Sequence, residues 1–425
     1  CTLKVLFPTA IPFSSFVFWS GSPGAGYWQI WPRYILTARL EPETAMLHGS
    51  GRIQIMNTRP TALDRLVLRL DQNRFRQAGG AEPVTRGIEL TSMDINGRVV
   101  DLTGDAVSGL GTTVVTVTLS TPLAPSEQLV LNSTWSYEVP EDTAGLALRQ
   151  GHSKHEIYQI GQWYPRLAMI VDLGGWDSAL HDGSSEFHNP FASFHVTLHL
   201  PVGWSVGASG VLQNPDSVLD AGAARRLRVV EKWDTTATIV EAGGQGLRRV
   251  PGAMSATWVF EADTARDFAW GASSQYSWTA ISRTIPDAGR IILHTLAADR
   301  NRESLADAGR QVLNVLETLS RKIAPYAWPT HTLLDGTERG MEYPALTMSN
   351  GSAVEHEIAQ QWFPMLVGSD ESRFDFMDEG LATFYAAVAG GSELGSAVSQ
   401  GQSIVPAGWN RRPGNPWPHT RVRKG

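Results

Sequence analysis

The sequence is poor in cysteine and in charge. Cys1 is the only cysteine in 425 residues, which excludes an internal disulfide framework and a zinc site built on thiolates. Charged residues make up 18% of the chain, with 35 Lys plus Arg against 42 Asp plus Glu, so the formal net charge is −7. Because duplex binders need a basic surface, this balance argues against nucleic acid as a partner.

Long hydrophobic runs are also missing. Residues 2–20 are apolar, but Pro8 and Pro12 interrupt them, and no uninterrupted run of about 18 apolar residues occurs elsewhere. The sequence therefore predicts no transmembrane helix.

The two ends lack the usual signals of a complete chain. The first residue is Cys1 instead of Met, and no acidic residue follows Glu393. We expect residues 1–26 to be an incomplete N-terminal segment without an assigned fold. The Pro-rich and Arg-rich residues 404–425 predict a disordered basic tail.

Apolar residues, in contrast, make up 42% of the chain and include 15 Trp, enough for sizeable cores. From residue 28 to residue 283 apolar and polar residues alternate, as at residues 34–40, 113–119 and 193–200. This period of two predicts half-buried antiparallel strands in a sandwich or layered-sheet domain. His195 and His199 lie on the polar face of one such strand, so the alternation explains them without a metal-binding role.

The period changes near residue 300. Apolar residues recur at three- and four-residue spacing between Leu305 and Ile323, which predicts a helix with Ser304 as its cap and Pro325 at its end. A short strand at residues 332–334 and helices at residues 353–367 and 374–389 follow. We therefore divide the chain into a β domain at residues 27–284 and a mixed α/β part at residues 285–403.

One stretch of the α/β part carries chemistry. In a His-Glu-x-x-His motif on a helix, two imidazoles one turn apart reach one zinc ion, and the Glu polarises the metal-bound water. His356 and Glu357 fit this motif, but its fifth position is Gln360. Glu379 lies 19 residues beyond Gln360 on a second helix, from which a carboxylate can close a zinc site. Upstream, Glu342 lies on a strand-like segment that leads into the first helix.

These pieces, in this order and spacing, resemble the gluzincin zinc aminopeptidases of the aminopeptidase N and leukotriene hydrolase family. The likeness is strongest to bacterial members, through Gln-Trp-Phe-Pro at residues 361–364, and residues 70–73 and 160–166 are similar to parts of that family's N-terminal domain. The resemblance covers roughly residues 27 to 390. It implies a β-rich N-terminal saddle or sandwich domain followed by a truncated, thermolysin-like α/β catalytic domain.

The resemblance also implies a role for each site residue. His356 and Glu379 would bind one Zn²⁺, with Gln360 at the position of the missing second His, and Glu357 would be the general base. The substrate would be a peptide with a free N-terminus. Its ammonium group and backbone would be bound by four residues: Gln162, Gly340, Met341 and Glu342.

Two departures from the family pattern predict slow or absent turnover. An amide oxygen is a poor zinc donor compared with an imidazole nitrogen, so Gln360 should weaken zinc binding. The family also stabilises its oxyanion with a Tyr well downstream of the third ligand. Here Tyr385 is the only Tyr after Glu379 and matches a helix position, while the chain ends 425 − 379 = 46 residues beyond Glu379.

Two other functions stay open on the sequence. One is a non-catalytic protein that binds peptide N-termini through Glu342 and Gln162. The other is a structural β module in which the segment that resembles a zinc-binding motif has no role. The cellular location of the protein is an expectation from the resemblance alone. Bacterial enzymes of this type are often exported, and are then periplasmic, extracellular or anchored to a membrane.

Overall fold

The computed structural model describes residues 28–76, 83–142, 150–154, 156–171, 174–181, 188–336, 340–349, 351 and 353–391. The terminal segments expected at residues 1–26 and 404–425 lie outside these described residues. Within them, none of the helices has the length and apolarity that crossing a bilayer requires.

β-Strands are the commonest regular elements of the described chain. The strands of the first half are β1 Arg33–Glu41, β2 Met46–Met56, β3 Leu63–Arg69, β4 Glu89–Ile95, β5 Arg98–Val99, β6 Val107–Ser108, β7 Val114–Leu123, β8 Gln128–Glu138, β9 Gly151–Ser153, β10 Ile157–Ile160, β11 Arg166–Leu167, β12 Ile170–Val171 and β13 Gly175–Trp176. Those of the second half are β14 Ala192–Pro201, β15 Ser205–Ala208, β16 Val211–Leu212, β17 Thr236–Val240, β18 Ser255–Ala265, β19 Trp270–Ser273, β20 Tyr276–Ile285, β21 Gly289–Ala298, β22 Thr330–Leu334, β23 Met341–Tyr343 and β24 Leu346–Met348.

The helices are fewer and cluster toward the C-terminal side. The α-helices are α1 Pro215–Val218, α2 Ala221–Lys232, α3 Arg302–Lys322, α4 Val354–Ala359 and α5 Glu379–Ala389. Short 3₁₀ segments occur at Asp71–Arg76, Asp299–Asn301 and Asp375–Met377, and a π-type segment occurs at Gln361–Leu366.

The alternating segments form the expected strands. An eight-stranded sheet has the order β16-β18-β14-β1-β2-β8-β4-β5, with β1 and β14 parallel and the other pairs antiparallel. Alternate residues of β1 and β14 are buried because one face of this sheet covers the core. On the polar side, His195 contacts Glu261 and His199 contacts Thr257, both on β18, so the strand pattern accounts for these histidines.

Smaller sheets complete the β-rich half. They have the orders β15-β19-β10-β9, β11-β3-β7-β6 and β12-β13. Trp163, which follows β10, is fully buried, and its ring contacts Trp135 on β8, Tyr164 and Trp270 on β19. The Trp-rich composition is therefore used for the core.

A buried ion cluster joins separate segments of this half. The Arg166 guanidinium contacts the carboxylates of Asp71 and Asp267, and Tyr164 donates a hydrogen bond of 2.7 Å to Asp267. Burial opposes ionisation of Asp71, but the charges of Arg166 and Arg69 outweigh it and lower the pKa of that carboxyl. The cluster fixes the loop after β10 against the 3₁₀ segment Asp71–Arg76.

Two helices, α1 and α2, lie within residues 28–283, where the strand interpretation predicts none. Asp220 accepts a hydrogen bond of 2.7 Å from the Ala223 amide and caps α2. Helix α2 then buries Ala223, Ala224, Leu227 and Val230, a set with helical spacing. The cap and this spacing together are a helix signal that the period-two interpretation passed over.

The α/β part is built on a six-stranded mixed sheet of order β17-β20-β21-β22-β24-β23. The β21/β22 and β22/β24 pairs are parallel, and the other pairs are antiparallel. The proposed boundary between residues 284 and 285 falls inside the β20–β21 hairpin of this sheet. The strand hydrogen bonds therefore connect the residues on either side of it.

Helix α3 covers the expected stretch but begins earlier than expected. It starts at Arg302 after Asn301, and Ser304 lies inside its first turn, so Ser304 as the cap is wrong. The apolar residues from Leu305 to Leu319 face the core because they recur every three to four residues.

The two helices of the motif region are shorter than residues 353–367 and 374–389. The first regular helix, α4, ends at Ala359, because the extended backbone of Phe363 and the ring of Pro364 break the pattern. The second helix, α5, starts at Glu379 after the short 3₁₀ segment Asp375–Met377. Both helices contact α3.

Stability should depend on pH through a histidine in this core. His331 on β22 is fully buried, and its ring nitrogens contact the hydroxyls of Tyr326 at 2.8 Å and Thr347 at 3.2 Å. Burial lowers its pKa from 6.5 to about 3. Below pH 6.5 the unfolded chain therefore binds a proton that the folded chain does not, and stability falls as pH falls.

We predict that His331→Gln flattens this dependence. The His331 contribution is a loss of about 1.4 kcal/mol of unfolding free energy per pH unit between pH 6 and pH 4. Urea unfolding at half-unit pH steps measures it. Thr347→Val is the control, because it removes one contact and keeps the buried imidazole. Equal slopes for His331→Gln and Thr347→Val would contradict the prediction.

Candidate active site

Helix α4 presents the motif residues on one face. His356 and Gln360 are one turn apart, and the backbone N–H of Gln360 donates a hydrogen bond of 3.1 Å to the backbone carbonyl of His356. Glu357, between them in sequence, is buried with 6% exposure. The helix thus places an imidazole, a carboxylate and a carboxamide where a His-Glu-x-x-His motif places its functional groups.

Glu379 faces His356 from the first turn of α5. Its Oε2 lies 3.1 Å from His356 Nε2, and the Thr383 hydroxyl lies 3.5 Å from His356 Nδ1 on the other side of the ring. Burial alone would lower the pKa of His356, but the hydrogen bond to Glu379 and the charge of Glu357 outweigh it, so the pKa is raised. Two carboxylates therefore favour a cationic group at this position.

Gln360 is held by the residue before Glu379. Its side chain is 1% exposed, and its Nε2 donates a hydrogen bond of 3.2 Å to Asp378 Oδ1. Its other polar atom, Oε1, has no hydrogen-bond partner among the described residues. The carboxamide is therefore anchored at one end only.

Strand β23 lies next to helix α4. It is the last strand in its sheet, and it carries Met341 and Glu342, both buried. A Cβ atom added to Gly340, just before β23, would collide with Oε1 of Glu357. Only glycine at this position allows the backbone to approach the Glu357 carboxylate this closely.

Gln361 fixes the turn after β23 to the end of α4. Its Oε1 accepts from the Ala345 amide at 2.9 Å, and its Nε2 donates to the Tyr343 carbonyl at 3.1 Å. This accounts for the first residue of Gln-Trp-Phe-Pro. The Trp362 indole donates to the Ala324 carbonyl at 2.8 Å, beyond the end of α3.

The loop that carries Gln162 in the β-rich half approaches β23. Gln162 follows β10 in a left-handed backbone conformation, with φ of 50°, and its buried Oε1 has no hydrogen-bond partner among the described residues. Gly161 lies so close to the Tyr343 hydroxyl that a Cβ atom there would collide with it. Gln72 holds this loop by donating to the carbonyls of Gly161 at 3.2 Å and Gln162 at 3.0 Å.

A buried acidic cluster, formed by Glu342, Glu371 and Asp378, lies beside the α4–α5 contact. One carboxylate oxygen from each lies within 4.8 Å of the others. Arg266 lies 3.6 Å from Glu371 and supplies positive charge. Buried carboxylates need compensating protons or cations, and the Arg266 guanidinium is one such cation.

The structure brings the predicted site residues into two neighbouring groups. His356, Glu357, Gln360 and Glu379 meet where α4 contacts α5, and Gly340, Met341 and Glu342 line the strand beside them. Glu371, Asp378 and Thr383 were missed, although Asp378 and Thr383 flank Glu379 by one residue and by one helical turn. Their positions in the sequence could have identified them.

The donor atoms can be tested against the zinc ion that the motif implies. One imidazole nitrogen and one carboxylate oxygen face each other, as two ligands of a single ion would. The third position offers an amide oxygen, buried and without a hydrogen-bond partner among the described residues. These donors fit a divalent metal ion. The amide oxygen is a harder ligand, in the hard–soft sense, than the ligands that zinc prefers.

Comparison with known proteins gives a consistent fold. No protein family and no curated protein matches the sequence. Among solved structures, a two-domain M1 zinc metallopeptidase bound to L-tryptophan is 16% identical with a TM-score of 0.55, covering 90% of this chain and 76% of that one. An M1 zinc metallopeptidase from Deinococcus radiodurans is 18% identical with a TM-score of 0.52, covering 89% and 75%.

A third similar structure is aminopeptidase A of Legionella pneumophila, in complex with aspartic acid. It is 11% identical with a TM-score of 0.54, covering 85% of this chain and 38% of that one. At these identities the likeness shows the fold. The chain is thus a β-rich protein with mixed sheets and the fold of M1 zinc metallopeptidases.

We predict that Gln361→Leu destabilises the protein by about 2 kcal/mol, because it leaves the buried Ala345 N–H without its partner and removes one hydrogen bond to the Tyr343 carbonyl. Urea unfolding monitored by tryptophan fluorescence measures the change. Gln213→Leu, which removes one exposed hydrogen bond to Val211, serves as the control and should change stability by less than about 0.5 kcal/mol. Equal stabilities of the two variants would contradict the stabilising role of the Gln361 hydrogen bonds.

Proposed function

We propose that this protein is a metal-dependent hydrolase of the aminopeptidase type, which removes N-terminal residues from peptides. The observation that carries the proposal is the His356–Glu379 pair at 3.1 Å with Glu357 on the same helix and β23 in front of it. The thermolysin-like character of the α/β part, zinc as the ion and export from a bacterial cytoplasm belong to the same proposal.

Glu357 is the general base in this proposal. Lewis-acid polarisation of the scissile carbonyl comes from a metal ion when one is bound by His356 and Glu379. Glu357 takes a proton from the attacking water and passes it to the leaving amine nitrogen. Its burial and the close passage of Gly340 keep the carboxylate in one place, next to the strand that would align the substrate.

The substrate lies along β23. An edge strand can accept an extended peptide as an added strand, which places the peptide N-terminus near Glu342. The Glu342 carboxylate would pair with the ammonium group, and the amide oxygen of Gln162 can accept one of its protons. A free N-terminus is therefore the feature that the site recognises.

A non-catalytic role as a binder of peptide N-termini is the second candidate. It is favoured by Gln360, which takes the place of an imidazole ligand while leaving Glu342 and Gln162 intact. In that case the ammonium site would operate without turnover.

Peptide binding tests the recognition step. We expect tetra-alanine with a free N-terminus to bind at least tenfold more tightly than its acetylated form by calorimetry, since a charge-assisted hydrogen bond contributes about 1.5–3 kcal/mol. Glu342→Gln should remove this difference. Glu303→Gln, an exposed carboxylate on α3, is the control and should retain it. Equal binding of both peptides to the natural chain would overturn the proposal.

Hydrolysis of alanine anilide with added zinc tests the chemistry. Turnover that disappears in Glu357→Gln, while peptide binding remains, supports the enzyme. Selective binding with no turnover in the natural chain supports the non-catalytic candidate.

A further inference from the structure

We infer that Gln360 is a metal ligand through Oε1, and that Asp378 is the residue that positions it. This inference rests on the metal site of the proposed function and concerns the third donor, which the departure from His-Glu-x-x-His leaves unassigned. The consequence is a shift in metal preference toward oxygen-seeking divalent ions.

The position of Gln360 is the first argument. It lies one helical turn after His356, so both side chains project from the same face of α4. Glu379, which faces His356, directly follows Asp378, which contacts Gln360. The carboxamide therefore lies beside the two groups that would bind an ion.

The carboxamide geometry is the second argument. Its nitrogen and oxygen are bonded to the same carbon and point about 120° apart, so a fixed nitrogen also fixes the oxygen. Asp378 binds the nitrogen at 3.2 Å, which directs Oε1 away from the Asp378 carboxylate. A buried oxygen without a hydrogen-bond partner costs about 1–3 kcal/mol, and a bound cation would remove that cost.

The surroundings of His356 show the same construction. Thr383 contacts Nδ1 of the ring, while Nε2 faces Glu379. Residues behind metal ligands orient them in this way, and their loss weakens metal binding about 10–100-fold. Thr383 holds the imidazole, and Asp378 holds the carboxamide.

The resulting donors are one imidazole nitrogen, one carboxylate and one amide oxygen. Carbonyl and carboxylate oxygens suit manganese, whereas imidazole suits zinc. Zinc still binds most sites more tightly than manganese, so the expected effect is a smaller affinity difference between the two ions than a second imidazole would give. Manganese is therefore the sharper probe of Oε1.

The test is metal binding by the full-length, chelator-treated chain. Calorimetry with ZnCl₂ and MnCl₂, and electron paramagnetic resonance of bound Mn²⁺, are applied to the natural chain, Gln360→Leu, Gln360→His and His356→Ala. We expect Gln360→Leu to lower Mn²⁺ affinity at least tenfold. Gln360→His should raise zinc affinity by a factor of about 100 or more, and Mn²⁺ affinity by much less.

The positioning role of Asp378 has its own variants. Asp378→Ala should lower Mn²⁺ affinity about 10–100-fold. Asp378→Asn should restore most of it, because its amide oxygen can still accept from Gln360. Glu355→Gln on the same helix is the matched control and should bind as the natural chain does. Recovery of the Mn²⁺ resonance spectrum in Asp378→Asn would separate positioning from a general loss of stability.

The outcomes distinguish this inference from the proposed function. Equal Mn²⁺ affinities of the natural chain and Gln360→Leu, with binding lost in His356→Ala, overturn the ligand role of Gln360 and leave the His356–Glu379 site standing. Absence of metal binding in every variant, including Gln360→His, overturns both.

Discussion

The site depends on the close contact between strand β23 and helix α4. Gly340 removes the side chain that would displace Glu357, and Gln361 ties the turn after β23 to the C-terminal end of the helix. Without this contact the carboxylates of Glu357 and Glu342 would belong to unrelated elements. The arrangement of the proposed site is therefore a property of strand–helix packing, and Gln72 fixes the loop of the β-rich half that carries Gln162.

Charge burial is the second constraint. Arg166 has two carboxylate partners, and this cluster stabilises the loop that carries Gln162. The acidic cluster beside α4 and α5 likewise includes a buried cation, because Arg266 lies 3.6 Å from Glu371. A buried carboxylate that loses such a partner destabilises the fold.

Much of the fold could be predicted from the sequence, and the reasons are physical. Half-buried strands such as β1 and β14 can be predicted because apolar and polar residues alternate along them. Helix α3 can be predicted because its apolar residues recur with an uninterrupted helical period. Helix α2 was not predicted because it is short and lies among strands in the sequence. The early end of α4 depends on the backbone of Phe363. Periodicity identifies strands one at a time and does not show that β20 and β21 pair as a hairpin across residue 284.

The candidate site shows the same division. His356 and Glu379 follow from motif spacing, and their contact agrees with it. The role of Asp378 does not follow from spacing, since a carboxylate before Glu379 could point into solvent as easily as toward Gln360. Only the folded contact shows that the carboxamide is held by its nitrogen, which directs its oxygen away from Asp378. In the proposed site, loss of an imidazole therefore need not remove a ligand, because the neighbouring carboxylate decides the orientation of the amide.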